Sequence, residues 1–320
     1  MLHIIVLVVA GLFVLWLVIV RPTVTTKSAL KFEDKPNPAA LRLHVEVLSK
    51  QFVPRDGDHP EILSKAAEYI ASEFRPTGAR VSFQEFEVDH TRYRNVIAEY
   101  GPQTSDVLVI GAHYDTAGDQ PGADDNASGV AGLLELGRLL STTGLKAKVI
   151  LAAYALEEPP YFRTAEMGSA VHAKSLSEGG ASVKLMISLE MIGYFSDREN
   201  SQSFPLSLLK LFYPTRGNFI LVVDRLFSNH AQGLKSAMSA ATDLPVYSIN
   251  APAFIPGVDF SDHLNFWNRG FPAVMVTDTS FYRNDAYHTR ADTADRLDYQ
   301  KMAQVVLGVY SYVVETSGKK

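Results

Sequence analysis

Five short, almost unbroken apolar runs constrain this chain more than anything else: Val107 to Gly111, Val149 to Ala155, Leu185 to Leu189, Phe219 to Val223 and Ala273 to Val276. Each is too brief for a helix and is bounded by polar or turn residues, the pattern of strands covered on both faces. Amphipathic stretches separate several of them. Leu41 to Gln51 and Glu61 to Phe74 carry apolar residues at helical spacing. Val130, Leu133, Leu134, Gly137 and Leu140 do the same, as do Met302, Val305, Val306, Val309 and Val313 near the end. Arg80 to Asp89 alternates like a strand with one buried face. Strands alternating with helices predict an α/β fold with a mostly parallel central sheet flanked by helices on both faces.

Of 320 residues, 47% are apolar and 20% charged, enough to bury a large core, and much of the apolar excess lies in Met1 to Val20. That run has no charged side chain and ends at Arg21-Pro22. About 20 apolar residues at about 1.5 Å rise each would cross a hydrocarbon layer of about 30 Å. Residues 1–21 are therefore expected to form a transmembrane anchor or uncleaved signal segment. A cleaved signal peptide would carry a charged n-region and a small-x-small site, and neither is present. Residues 22–37 read as a linker and 38–320 as one domain.

Arg21, Lys27, Lys31 and Lys35 follow the apolar run and no basic residue precedes it, a bias that would hold the body in the cytoplasm. The formal net charge of -5, with no Lys/Arg cluster, excludes a nucleic-acid footprint. The chain has no cysteine, so disulfides, thiolate metal sites and a cysteine nucleophile are excluded together. Any metal must be held by imidazole and carboxylate.

In open α/β sheets reactive residues collect past the carboxyl ends of the strands, and the informative polar residues fall there. His113-Tyr114-Asp115 follows the first run, Glu157-Glu158 the second, Glu190 the third, and Tyr287-His288 lies in the loop after the last. Taken singly, each is more readily a surface pair, a solvated turn or, for Asp124-Asp125-Asn126, a helix N-cap. Together they bring several acids towards one rim with few matching bases, among them Arg138, Arg163 and Lys148 near these segments in sequence. Buried carboxylates need compensating positive charge, which a pair of divalent cations would supply. Zinc, cobalt, iron and manganese all suit such ligands.

The segments GAHYD (111–115), GADDNASGVAGLLEL (122–136), YALEE (154–158), SLEMIGY (188–194), FSDHLNFW (260–267) and YHTRADT (287–293) resemble the di-zinc aminopeptidases of the M28 metallopeptidase family. The likeness runs from about residue 90 to the C-terminus and implies a zinc-exopeptidase, phosphorylase/hydrolase-like fold. It implies two divalent metal ions, zinc foremost, and a peptide substrate. His113 and Glu190 would hold the first metal, Glu158 and His288 the second, and Asp125 would bridge both, next to a cis peptide at Asp125-Asn126. Asp115 would hold the His113 imidazole, and Glu157 would be the general base. Tyr287 would either donate to the developing oxyanion or pack on the metal site. Many relatives have Asp where this chain has Glu190, which leaves the denticity of that contact open.

Ser261-Asp262-His263 is expected to hydrogen-bond near the site, because three adjacent residues cannot easily line up as a catalytic triad. The run from Pro159 to Ser169 is longer than the Gly-rich turn of many relatives. It either walls the entrance, through Tyr161, Phe162 and Arg163, or packs on the surface. The resemblance also implies an extracytoplasmic, periplasmic-side body on a single-pass anchor, opposite to what the basic flank suggests. Two other readings share the scaffold: a glutaminyl cyclase with one zinc, and a non-catalytic ectodomain.

Overall fold

A computed structural model of the chain describes residues 2–23 and 32–318. One eight-stranded sheet organises the body, in the order β1-β2-β4-β3-β5-β8-β6-β7. Its strands are β1 (Arg80–Val88), β2 (Thr91–Tyr100), β3 (Asp106–His113), β4 (Lys148–Tyr154), β5 (Ser182–Glu190), β6 (Ile220–Arg225), β7 (Val246–Ala251) and β8 (Ala273–Thr277). The helices are α1 (Leu2–Val20), α2 (Pro38–Gln51), α3 (Pro60–Phe74), α4 (Gly129–Leu140), α5 (Gly168–Glu178), α6 (His230–Ala241), α7 (His263–Asn268) and α8 (Tyr299–Ser317).

The sheet is mixed rather than mostly parallel. The central strands β4, β3, β5 and β8 run parallel, as expected of runs apolar on both faces. Towards one edge, β2 pairs antiparallel with both β1 and β4, and towards the other β6 is antiparallel to β8. The β1-β2 reversal follows from its turn: Asp89 and His90 both take positive φ, at 47° and 64°, and two such residues close a tight hairpin. The continuous-run criterion found neither β2 nor β7, whose polar and apolar residues interleave. It also missed α5, α6 and α7.

Alternation along β3 divides the core. Leu108, Ile110 and Ala112 face the layer containing α2, α3, α4, α6 and α8, whereas Val107 and Val109 face the layer of α5 and α7. Truncating a buried Leu or Ile to Ala in such a core costs about 2–5 kcal/mol, so the central strands form a stiff frame for whatever their ends carry.

The expected linker, residues 22–37, lies outside the described residues from 24 to 31. Its last part packs on the body: Phe32 meets Tyr310, Asp34 pairs with Arg138, and the Asn37 side chain caps α2. α1 is a helix of 19 residues, but the side chains of its first four residues and of Val8 lie outside the described set. Among the described residues no helix is long and apolar enough to cross a membrane.

Candidate metal centre

Because β4, β3, β5 and β8 are parallel neighbours, their carboxyl ends open on one side, and four of the five expected ligands arrive there. His113 is the last residue of β3 and Glu190 the last of β5. Glu157 and Glu158 follow β4 after Leu156, whose left-handed backbone (φ 62°) turns the chain out of the strand. His288, also left-handed at φ 55°, lies in the loop beyond β8. Asp125, the fifth, comes from the loop before α4, where the Asp125-Asn126 peptide is cis.

These residues assemble into two trios that share one carboxylate. His113, Asp125 and Glu190 form one; Asp125, Glu158 and His288 form the other. Asp125 Oδ1 lies 3.3 Å from His113 Nε2, and its Oδ2 lies 3.1 Å from His288 Nε2. Glu190 Oε2 is 3.3 Å from His113 Nε2, and Glu158 Oε2 is 3.2 Å from His288 Nε2. Zinc bonds of about 2.0–2.1 Å at tetrahedral angles hold neighbouring ligand atoms about 3.3 Å apart, so these separations are the edges of such a tetrahedron. His288 Nε2 is buried and makes no hydrogen bond despite its two near oxygens, and Glu158 Oε1 is likewise without a partner. The atoms face common points rather than one another, and the donor set fits two divalent cations.

Glu157 stands apart. Its Oε2 is 3.9 Å from His113 Nε2, longer than the histidine–carboxylate contacts within the two trios. His113, Glu157 and Glu158 form a third possible grouping, but it borrows one residue from each of the others.

Electrostatics sharpen the need for cations. Asp115, Asp125, Glu157, Glu158 and Glu190 are all buried, and no Lys or Arg forms an ion pair with any of them among the described residues. Arg138, Arg163 and Lys148 are engaged elsewhere, with Glu135 and Asp34, with Asp259 and with Glu99. Burial and the charges of Glu158 and Glu190 push Glu157 well above the ordinary carboxylate range, although His113 opposes them. Burial also raises Glu190. Burial acts the same way on Asp125, but the neighbouring imidazoles of His113 and His288 outweigh it and hold that carboxyl low.

Glu158 is pushed up to about 7, by burial first and Asp125 second. Only the ionised form can hold a cation, so cation affinity should not depend on Glu158 above that value. Below about pH 7 it should weaken, by up to about tenfold per pH unit for one displaced proton. Calorimetric titration with zinc across this range checks the sign, and rising affinity at lower pH would refute it.

The surroundings fix these groups in ways no local pattern announced. Asp115 lies 3.5 Å from His113 Nδ1, which has no hydrogen-bond partner. Its carboxylate instead accepts the backbone N–H groups of Glu157 at 3.1 Å and Glu158 at 3.0 Å, pinning the turn that carries both. Asp292 accepts the N–H groups of Asp124 and Asp125. Asp124 accepts from Gly193 N and Asn284 Nδ2, tying the Asp125 loop to the segments after Glu190 and before His288. Asn126 donates to Leu189 O and accepts from Met191 N. A Cβ on Gly129 would lie 2.5 Å from both Asn126 Oδ1 and Leu189 O, so this close approach requires glycine.

Arg55, fully buried, donates to the carbonyls of Tyr114, Leu48, Pro121 and Gly122 and braces both loops. Its signal in the sequence is a single arginine among unrelated residues.

Ser261 Oγ donates to Glu190 Oε2 at 2.7 Å and lies 2.8 Å from Ser188 Oγ. His263 turns away, its Nε2 bonded to Val258 O, so Ser261-Asp262-His263 is no triad. Loss of the partner behind a ligand typically weakens metal binding about 10–100-fold. Ser261→Ala is expected to fall in that range by competition with a chelator, and unchanged affinity would show that the hydroxyl is dispensable.

Beside the trios opens a cavity of about 210 Å³. Its walls are mainly apolar, with Phe162, Leu209, Phe219, Val223, Ile249 and Phe281 among them. Within the Pro159–Ser169 segment, Phe162 lines this cavity, Tyr161 packs against Tyr93, and Arg163 is latched to Asp259 at 2.5 Å. Tyr287 stacks on His288, ring centroids 3.8 Å apart, and also lines the cavity.

Residues 95–313 match the model of Peptidase family M28. The chain is 52% identical to the Escherichia coli K12 protein YfbL over 282 residues, 85% of this chain and 86% of that one. It is 27% identical to leucine aminopeptidase 1 of Arthroderma otae over 262 residues, 78% of this chain and 64% of the relative's length. Among solved structures, a zinc aminopeptidase from Bacillus subtilis superposes with a TM-score of 0.74 at 15% identity, covering 90% of this chain and 97% of that one.

Proposed function

The chain belongs to peptidase family M28, and on that premise we propose that it is an aminopeptidase that holds two zinc ions and releases N-terminal residues from peptides. One observation carries the reading: the two oxygens of Asp125 serve two separate His-carboxylate trios. A one-zinc cyclase has no use for the second trio.

Two cations held by His113, Asp125, Glu158, Glu190 and His288 would supply Lewis acidity, lowering the pKa of water and polarising the substrate carbonyl. The rest falls to the chain itself. Glu157 takes a proton from the attacking water and returns it to the departing amine. Its burial makes the carboxylate a stronger base than an exposed glutamate. Asp115, through the N–H groups of Glu157 and Glu158, keeps base and ligand in register. Tyr287 keeps its phenolic proton, because burial and the nearby carboxylates raise its pKa. It can therefore donate to the carbonyl oxygen as charge develops there. The apolar cavity receives the side chain of the N-terminal residue and favours large aliphatic ones, in line with the leucine aminopeptidase among its relatives.

Purified protein is expected to carry two zinc ions per chain by elemental analysis and to release leucine from leucyl reporters faster than lysine from lysyl ones. Pyroglutamate release from N-terminal Gln peptides with one metal bound would assign a cyclase. Neither uptake nor turnover would leave a scaffold.

The uncharged run from Met1 to Val20 supports a further proposal, that α1 anchors the protein in a membrane; the family resemblance, against the basic residues that follow the run, favours a body on the extracytoplasmic side. A membrane-impermeant thiol reagent should then label a cysteine placed in the exposed β1-β2 turn of intact cells. Labelling only after lysis would put the body inside.

A further inference from the structure

The last turn of α1 is not free of the body. Val20 forms one buried cluster with Leu209 and Tyr213, and Trp16, Ile19, Phe204, Phe212 and Tyr247 pack against it. Lys235 Nζ donates to the carbonyls of Val20 and Arg21 at 2.9 and 2.6 Å, and Ser248 Oγ donates to Val20 O. A cation on those carbonyls closes the helix at its negative end. The junction is therefore held by packing and hydrogen bonds as well as by the chain.

This docking shortens what remains for a bilayer. From Leu2 to Trp16 the helix offers about 22 Å at about 1.5 Å per residue, short of a hydrocarbon layer of about 30 Å. If α1 is an anchor, the part of the body around its last turn must sit at the depth of the lipid boundary. The residues exposed there suit that depth. Among the described residues twelve large apolar side chains are exposed; six lie on α1, and three, Leu206, Leu208 and Leu211, lie on one short segment beside its end. That segment is a single 3-10 turn, Ser207–Leu211. Leu211 is 67% exposed, and Lys210 sits among the leucines, where its ammonium can reach headgroup phosphates. The opposite side of the same stretch, Phe204, Pro205, Leu209 and Tyr213, lines the catalytic cavity.

We propose that residues 206–211 form a second membrane contact, with Leu206, Leu208 and Leu211 dipped into the phospholipid interface of the bilayer that holds α1. One short segment then has lipid on one side and the substrate cavity on the other. Active-site wall and membrane surface are thereby held together, and peptides presented at that surface are the ones best placed to enter. The proposal rests on the anchor reading above.

The absence of native cysteine makes the test clean. Full-length chain with a single cysteine at Val14, Leu208 or His90 would be placed in phospholipid nanodiscs and labelled with an environment-sensitive fluorophore. His90 is fully exposed in the β1-β2 turn, at the sheet edge opposite β7. Blue-shifted emission and quenching by nitroxide-bearing lipids are expected at Val14 and Leu208, with neither at His90. A label at Leu208 that stays in water while the one at Val14 is quenched would overturn the second contact and leave the anchor standing. A label at Val14 that stays in water would overturn the anchor, and this proposal with it. Leucyl-reporter turnover by each labelled protein shows that the fold survives.

Discussion

Glu157→Gln is expected to lower kcat by about 10²–10⁴-fold, the usual contribution of a positioned general base, while the protein keeps two metal ions and nearly the same KM. The amide is close to isosteric and removes only the ability to take a proton. Glu157 belongs to neither trio sharing Asp125; its oxygen stands 3.9 Å from His113 Nε2, against 3.1–3.3 Å for the histidine–carboxylate contacts within the trios. Its burial among Glu158 and Glu190 keeps its proton affinity high, which a base working near neutral pH requires. Single-turnover kinetics combined with elemental analysis separates the two roles. A metal count that falls to one would make Glu157 a ligand, and undiminished kcat would remove it from the chemistry.

Asp125→Ala should be more damaging still, because the substitution breaks both trios at once. Each of its oxygens faces a different histidine, so its loss leaves two ligands at each position where three stood. Both metal ions are expected to be lost on dialysis and turnover to fall below detection. That loss exceeds the roughly 10–100-fold typical when only the partner behind a ligand is removed. Glu158→Gln is the contrast, because Glu158 belongs to the second trio alone and its loss should spare the first. Two ions retained by Asp125→Ala would refute the shared carboxylate. Circular dichroism guards against a trivial explanation, since the Asp125 loop is also held through its backbone by Asp292 and Arg55 and through the Asn126 side chain bonded to Leu189 O.

The residues that meet at the centre were legible because strands announce themselves locally. Val107 to Gly111 is unmistakably a buried strand, so the polar residues after it had to lie at a strand end, and parallel order placed four such ends side by side. The edges of the sheet were less legible. β2 and β7 lack continuous apolar runs, and the antiparallel course of β2 is set by two left-handed residues, Asp89 and His90, that neither glycine nor proline marks. Asp115 was expected to serve His113 and does lie 3.5 Å from its Nδ1, but the hydrogen bonds its carboxylate accepts come from the backbone of Glu157 and Glu158. Which donor a buried carboxylate accepts from is settled by distances across the fold, not by its neighbour in the chain.

By itself, the sequence determined the chemistry available: no thiols, a surplus of carboxylates at strand ends, two histidines among them, and an uncharged apolar start. Those are properties of residue type and short-range spacing, which the chain carries before it folds. Only the tertiary structure decided that Asp125 divides its oxygens between two histidines, and that Arg55 and Asp292 brace its loop. It also decided that α1 ends against the wall of the catalytic cavity. Each of these joins residues far apart in the chain: 67 positions separate Arg55 from Gly122, 167 separate Asp125 from Asp292, and 215 separate Val20 from Lys235. Such contacts have no period and no local signature; they exist because packing eight strands into one order leaves each buried polar group only certain partners within reach.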